Sequence, residues 1–320
     1  MSKETEKVFK AFDEYMKMNG EPESEDELKE MLDAFMQDYN SRIPNMEPLT
    51  AANAKTSDDY MELAEQATSV DEALRFAKKA LKVDPDNLDA ETYVAVLGAR
   101  DFFDQLKKIE KAVTHGNKLM EEQGYFDEEY IGEIWTVHQT RPYMRLRRTY
   151  VDCLEELCMF DAAAVECEEL LRLCDGDNIG ARYTLMHLYA MQGNEEKALS
   201  LLDRYSEYGA MMLLPLALLY YKRNDLENAR KHLKVILKHN PDTKKFLKIA
   251  ADRGDLIPED FNPSMYRPYT IDELYMTVFE HDWLYMPNDM FFIWANEELN
   301  NKGKTEQKKI RQRRKSRKSD

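Results

Sequence analysis

Residues 70–87 read VDEALRFAKKALKVDPDN. Ala73, Ala77 and Ala80 recur at helical spacing on one face, where a small side chain lets a second helix approach closely. Leu81 is placed beside them to fill the groove between one helix pair and the next. Pro85 ends the helix, since it has no N–H to give and its ring crowds the preceding turn. The pattern returns as FDAAAVECEELLRL (160–173), GNEEKALSLLDRY (193–205) and NDLENARKHLKVILKHNP (224–241). Ala163, Ala198 and Ala229 take the same packing position, 35 and 31 residues apart. A matching first helix precedes each, at 142–157, 179–192 and roughly 211–222. The stretch 88–122 is a degenerate unit: DFFDQLKKIEKAV is helical but lacks the alanines.

Those separations straddle the period of about 34 residues that marks the tetratricopeptide repeat, or TPR. The expected fold is therefore all-α: a TPR-like helical-repeat solenoid, an alpha-alpha superhelix, over 57–245. Composition agrees. Gly and Pro number 11 each, too few to turn many strands, and charged residues reach 33%, above the globular average of about 25%. Pro215 falls inside one first helix, which must start late or kink.

The flanks read differently. Val8, Phe12, Tyr15 and Met16 form one apolar face of a first helix, and Leu28, Leu32, Phe35 and Tyr39 form that of a second. Ser24 and Glu27 predict a capping box between them. Residues 1–40 thus read as a helical hairpin, an arm whose face docks on the body or on a partner. Residues 41–56, with two prolines, read as a linker. After an irregular connector at 255–270, Thr270 and Glu273 predict another capping box. Phe279, Trp283, Phe291 and Trp294 predict capping helices over the last repeat, the whole region spanning 246–301.

Charge is uneven. The formal net charge is −16, yet KGKTEQKKIRQRRKSRKSD (302–320) holds ten Lys or Arg against two acids. So polar a segment cannot bury enough surface to order itself, and a disordered basic tail is expected. Lys308, Lys309, Arg311, Arg313, Arg314, Lys315, Arg317 and Lys318 are its candidate polyanion contacts. MSKETEKVFKAF has no signal-peptide pattern. The longest apolar run, MMLLPLALLYY (211–221), is too short for a bilayer core of about 30 Å. A cytoplasmic protein without a membrane span is expected. Cys153, Cys158, Cys167 and Cys174 lack the spacing of a zinc finger and read as small buried helix positions.

EEQGYF (121–126), IW (134–135), QTRPYMR (139–145) and GDNIGARYTLMHLY (176–189) occur in an order and spacing that resembles bacterial tetratricopeptide proteins related to the eukaryotic suppressor-of-tumorigenicity-seven family. The resemblance covers about 57–245, and the final W…P…W pattern is similar too. It implies a TPR-type array and carries over no catalytic residue. The eukaryotic relatives are membrane-associated, and the lack of a spanning segment here departs from them.

Residues 139–148, QTRPYMRLRR, gather four arginines in an acidic chain. Pro142 fits the first turn of a helix. Arg141, Arg145 and Arg148 then share one stripe, with Tyr143, Leu146, Tyr150, Leu154 and Leu157 on the buried one. Arg145 and Arg148 fall at repeat positions that face a TPR groove. Cations near a helix N-terminus oppose the macrodipole by roughly 0.3–1 kcal/mol each. Either acids such as Glu128, Glu129 or Glu133 pair with them, or the stripe clamps an acidic peptide or a carboxylate, extended by Tyr183 and His187 of the next repeat.

No catalytic constellation emerges: H-E-x-x-H, a Gly-rich phosphate loop and G-x-S-x-G are all lacking, and no cofactor motif is present. The leading expectation is a non-enzymatic scaffold that binds a peptide or protein segment in the groove. It fails if no partner co-purifies under mild conditions and the groove is filled by the chain's own termini, and the second of these counts against it. The alternatives are a nucleic-acid- or ribosome-associated protein that uses the basic tail, and a tail that clamps onto the acidic body.

Overall fold

A computed structural model of the chain describes residues 3–42, 47–252 and 256–301. The basic tail, with its eight candidate contacts, lies outside them. Among the described residues the chain is all-helical; the only strand-like pairing is an isolated bridge of Gly132 and Glu133 with Cys174. It divides into two compact units, Met1–Leu157 with Arg172–Asn178 and Cys158–Leu171 with Ile179–Asp320. The boundary falls inside the stretch read above as one array.

The first unit opens with α1 (Lys3–Asn19) and α2 (Glu25–Arg42). Phe12, Tyr15 and Tyr39 pack around Phe35, whose exposure is 3%. The inward stripe of α2 is therefore Phe35 and Tyr39, while Leu28 and Leu32, expected beside them, are exposed. Ser24 does cap, accepting from Glu27 N at 3.2 Å, but Glu27 reaches back one residue further, to Glu23 N.

Helices α3 (Ser57–Gln66), α4 (Val70–Val83), α5 (Leu88–Leu97), α6 (Phe102–Glu122) and α7 (Arg141–Glu156) follow as packed neighbours. Thr56 and Asp59 cap α3 reciprocally, and Ser69, Asn87 and Asp101 cap the next three helices. Ala77 and Ala80 are fully buried where α4 meets its neighbours. The degenerate unit is a helix pair after all. In α6 the close approach comes at Gly116, where an added Cβ would sit 2.9 Å from the Tyr143 ring. The small residue is present, but it is a glycine. Between α6 and α7 the chain runs through short 3-10 turns at Ile134–Thr136 and His138–Thr140.

The second unit contains most of α8 (Phe160–Leu173), then α9 (Ala181–Gln192), α10 (Glu195–Tyr205), α11 (Ala210–Lys222), α12 (Leu226–His239) and α13 (Thr243–Ala251). Ala163, Ala198 and Ala229 are each fully buried, as the repeat reading requires. Helix α11 does not start late: it begins at Ala210 and holds Pro215 inside. A proline there costs about 3 kcal/mol, and the burial of every residue from Ala210 to Tyr220 offsets it.

Of helices α14 (Ile271–Glu280), α15 (Asp282–Tyr285) and α16 (Asp289–Asn296), the first and last pack against α11 and α13, while α15 meets His187 of α9 and Phe160 of α8. Phe291 is buried, Trp294 stacks on Tyr221 and Trp283 on Phe160, whereas Phe279 is 48% exposed. The expected capping box becomes a longer link. Thr270 caps Asp272 N, while the buried Glu273 accepts from Tyr269 N, from Asn240 and, at 2.7 Å, from Ala210 N at the start of α11. No described helix is long and apolar enough to cross a membrane.

Candidate protein-binding face

Helices α3, α5 and α7 of the first unit present polar side chains to one face, and α1 lies on it. Arg145, from the second turn of α7, is gripped twice. Its Nε and Nη2 donate to the two carboxylate oxygens of Asp89 at 2.9 and 2.7 Å, and Nη1 donates to Glu6 at 2.8 and 3.1 Å. Burial disfavours the charge of Arg145, but these bonds to Asp89 and Glu6 outweigh it and raise its pKa. The offset for cations at this helix N-terminus is thus Asp89, in the first turn of α5, and Glu6 on α1. The acids expected to serve, Glu128, Glu129 and Glu133, are not the ones Arg145 meets.

The other arginines of the stripe separate by environment. Arg141 is 2% exposed; its Nε donates to the Trp135 carbonyl at 3.0 Å, its guanidinium lies over the Trp135 ring, and Nη1 stands 3.7 Å from Glu6. Arg148 pairs along its own helix with Asp152 at 2.9 Å and Glu155 at 3.8 Å. Arg147, off the predicted stripe, is buried against Tyr143 and donates to its hydroxyl.

Helix α1 touches this face with its polar side, not its apolar one. Lys7 pairs with Glu62 and Lys10 with Asp58 at 2.7 Å, both on α3. Asp13 accepts from the Gln139 amide at 2.8 Å. His138 Nε2 stands 3.1 Å from the same carboxylate oxygen without being aligned to bond to it. Phe9 stacks on His138 at 5.8 Å. Burial lowers the pKa of His138; Asp13 opposes that shift and Arg141 reinforces it. The arm lies on the body, but not through the face expected to dock: Phe12 and Tyr15 of that face pack on Phe35 of α2, and the opposite side of α1 meets the body.

The helix does not fill the space it occupies. A cleft of about 640 Å³ runs beside it, lined by Lys17, Val83, Leu88, Leu119 and Met120 among others. A second, of about 240 Å³, opens at the Glu6 end between α1 and α3.

Tyr183 and His187, proposed to extend the site, belong to the second unit. Tyr183 donates to Glu207 at 2.9 Å beneath Arg182, and burial and that carboxylate raise its pKa. His187 is fully buried: Nδ1 donates to the Tyr183 carbonyl at 2.7 Å, Nε2 accepts from Tyr285, and its ring stacks face to face on His281 at 3.7 Å. Burial pulls its pKa down to about 3. His187 therefore offers no surface to a peptide; it is a core histidine under the terminal helices.

Of the cysteines, Cys153, Cys167 and Cys174 are buried and Cys158 is exposed. No protein-family model matches this sequence, and no curated protein matches it either.

Proposed function

We propose that the chain is a TPR-like helical-repeat adaptor, without enzymatic activity, that holds a segment of another protein on the face formed by α3, α5 and α7. One observation carries the reading. A helix from elsewhere in the chain already lies there as a ligand would, its side chains meeting Asp58 and Glu62 on α3 and Arg145 on α7, the last of which is held in turn by Asp89 of α5. That the occupant is the chain's own terminus counts against a scaffold, so the reading requires that this resident helix exchange for a partner's. The polyanion-binding alternative rests on the composition of 302–320 alone.

Site-directed photocrosslinking in the native cell tests the proposal. A benzophenone amino acid at the exposed Gln66, beside the face, is compared with one at Leu199 in the second unit. The adaptor reading expects a discrete protein adduct at position 66 that is missing at 199. Equal adducts at both positions, or none at 66, would refute it.

A further inference from the structure

Resting on that adaptor reading, we infer that the face selects an amphipathic helix of a partner protein carrying a carboxylate at position i, an aromatic ring at i+3 and a second carboxylate at i+7, and that α1 is the resident helix with which it exchanges. The register is that of Glu6, Phe9 and Asp13. Residues three, four and seven apart share one side of a helix, and the receiving groups match them in order: the Arg145 guanidinium for Glu6, the His138 ring for Phe9, and the Gln139 amide for Asp13. Lys7 and Lys10, at i+1 and i+4, meet Glu62 and Asp58 and set the direction of the helix on the face.

Three features make α1 exchangeable. Its contacts with the body include ion pairs, the Gln139 hydrogen bond to Asp13 and one ring stack, with Phe9 still 40% exposed. Its pairs with α3 are open to solvent, the carboxylates of Asp58 and Glu62 being 48% and 30% exposed, and pairs of that kind contribute about 0–1 kcal/mol each. Solvent-open clefts of about 640 and 240 Å³ border the helix, so one flank of it makes no contact with the body there. The larger cleft is walled in part by Val83, Leu88, Leu119 and Met120. A partner helix with the same register and a bulkier apolar residue beyond its second acid gains contacts there that α1 does not make.

The test uses the full chain and a fluorescent, helix-stapled peptide of residues 3–19 as the register-bearing probe. Binding is measured by anisotropy to the wild-type chain and to the arm variant Glu6→Lys/Asp13→Lys, which leaves every residue of the face intact. The expected result is at least tenfold tighter binding to the arm variant. A peptide with its own Glu6 and Asp13 changed to Lys should bind at least tenfold more weakly than the parent. Equal affinity for both proteins would overturn the exchange with α1 while leaving the adaptor face in place. Equal affinity for both peptides would overturn the register. Binding to neither protein would sink the adaptor reading itself. Concentration-dependent dimers of the wild-type chain, with α1 of one copy cross-linked to the face of another, would make a second copy the occupant and overturn the partner assignment.

Discussion

Replacing Arg145 by alanine removes one cation from between two carboxylates and leaves Glu6 and Asp89 facing each other. The side chains of Glu6, Asp89 and Arg145 are 9%, 22% and 24% exposed, so the cluster lies between the buried and the surface limits. Breaking a fully buried pair costs roughly 3–5 kcal/mol by stranding a charge, while an exposed pair contributes about 0.2–1 kcal/mol. We expect about 2–3 kcal/mol for Arg145→Ala. Glu6→Gln should cost only about 1 kcal/mol, because Arg145 keeps its bidentate bond to Asp89 and the amide oxygen still accepts. Asp89→Asn falls between them, since it loses the fork but leaves Glu6 on Nη1. At about 2–4 °C per kcal/mol for a unit of this size, Arg145→Ala should lower the melting temperature by about 4–12 °C in circular dichroism, and Glu6→Gln by about 2–4 °C. The decisive comparison is non-additive: Arg145→Ala made in a Glu6→Gln background should cost less than in the wild type, because one stranded charge has gone. Additive losses, or a Glu6→Gln change as damaging as Arg145→Ala, would refute the shared-guanidinium account.

Other consequences follow from single contacts. Gly116→Ala gains about 1 kcal/mol of helix propensity, but its Cβ meets Tyr143 at 2.9 Å and Leu88 at 3.3 Å, both buried; overpacking of about 1–3 kcal/mol should win, and a lower urea midpoint would show it. Glu273→Ala strands the Ala210 and Tyr269 N–H groups and should cost about 2–4 kcal/mol in urea unfolding, with Glu273→Gln milder. His187 stays neutral in the folded unit down to about pH 3, whereas in the unfolded chain it takes up a proton near pH 6.5. Its folded pKa is lowered, so the unfolded state binds the extra proton. Stability therefore falls as pH drops through 6.5 toward 3, by about 2 kcal/mol between pH 7 and 5 from this group. Urea midpoints measured across that range should decline, and His187→Gln should flatten the decline. Because α1 is held through charges, raising salt from 0.15 to 1 M shortens the screening length from about 8 to about 3 Å; amide exchange in α1 should quicken while that at the fully buried Ala77 of α4 does not.

The sequence made the helical class and several close helix contacts legible because close approach demands small residues. Ala77, Ala80, Ala163, Ala198 and Ala229 are written into the chain as a pattern and are buried without exception. The same rule hid the approach of α6 to α7, where the small residue is Gly116, a poor helix former that reads as a flaw rather than a contact. In the arm, periodicity located the apolar seam against α2 but said nothing about the opposite side of α1. Charged residues on a helix face are usually solvated, so Glu6, Lys7, Lys10 and Asp13 carried no visible signal. The partner of Arg145 is 139 residues away in sequence, and with 61 acids in the chain no local rule selects Glu6 over Glu128, Glu129 or Glu133. Tyr183 and His187 were placed by counting positions from a repeat. Counting assigns a side of the helix, but it cannot foresee that Tyr285 and His281 arrive to cover that side.

Docking through the polar side of α1 also determines what remains when the helix leaves. An arm held by its apolar side would expose that surface to water on departure, at roughly 25 cal/mol for each Å², and would leave a greasy scar on the body. Here the apolar residues of α1 stay packed on α2 through Phe12, Tyr15 and Phe35, so the hairpin moves as one piece. On the body, Arg145 retains both bonds to Asp89, Arg141 retains the Trp135 carbonyl, and Asp58 and Glu62 return to solvent that already reaches them. Glu6, the one deeply buried acid of the arm, exchanges Arg145 for water. The vacated face therefore keeps Arg145 in place with Nη1 open, and the Gln139 amide open beside it, so a carboxylate can be received without refolding. Arg145→Ala and loss of the arm are opposite perturbations in this respect. The first leaves two anions without their cation, and the second leaves the cation with one anion still in place.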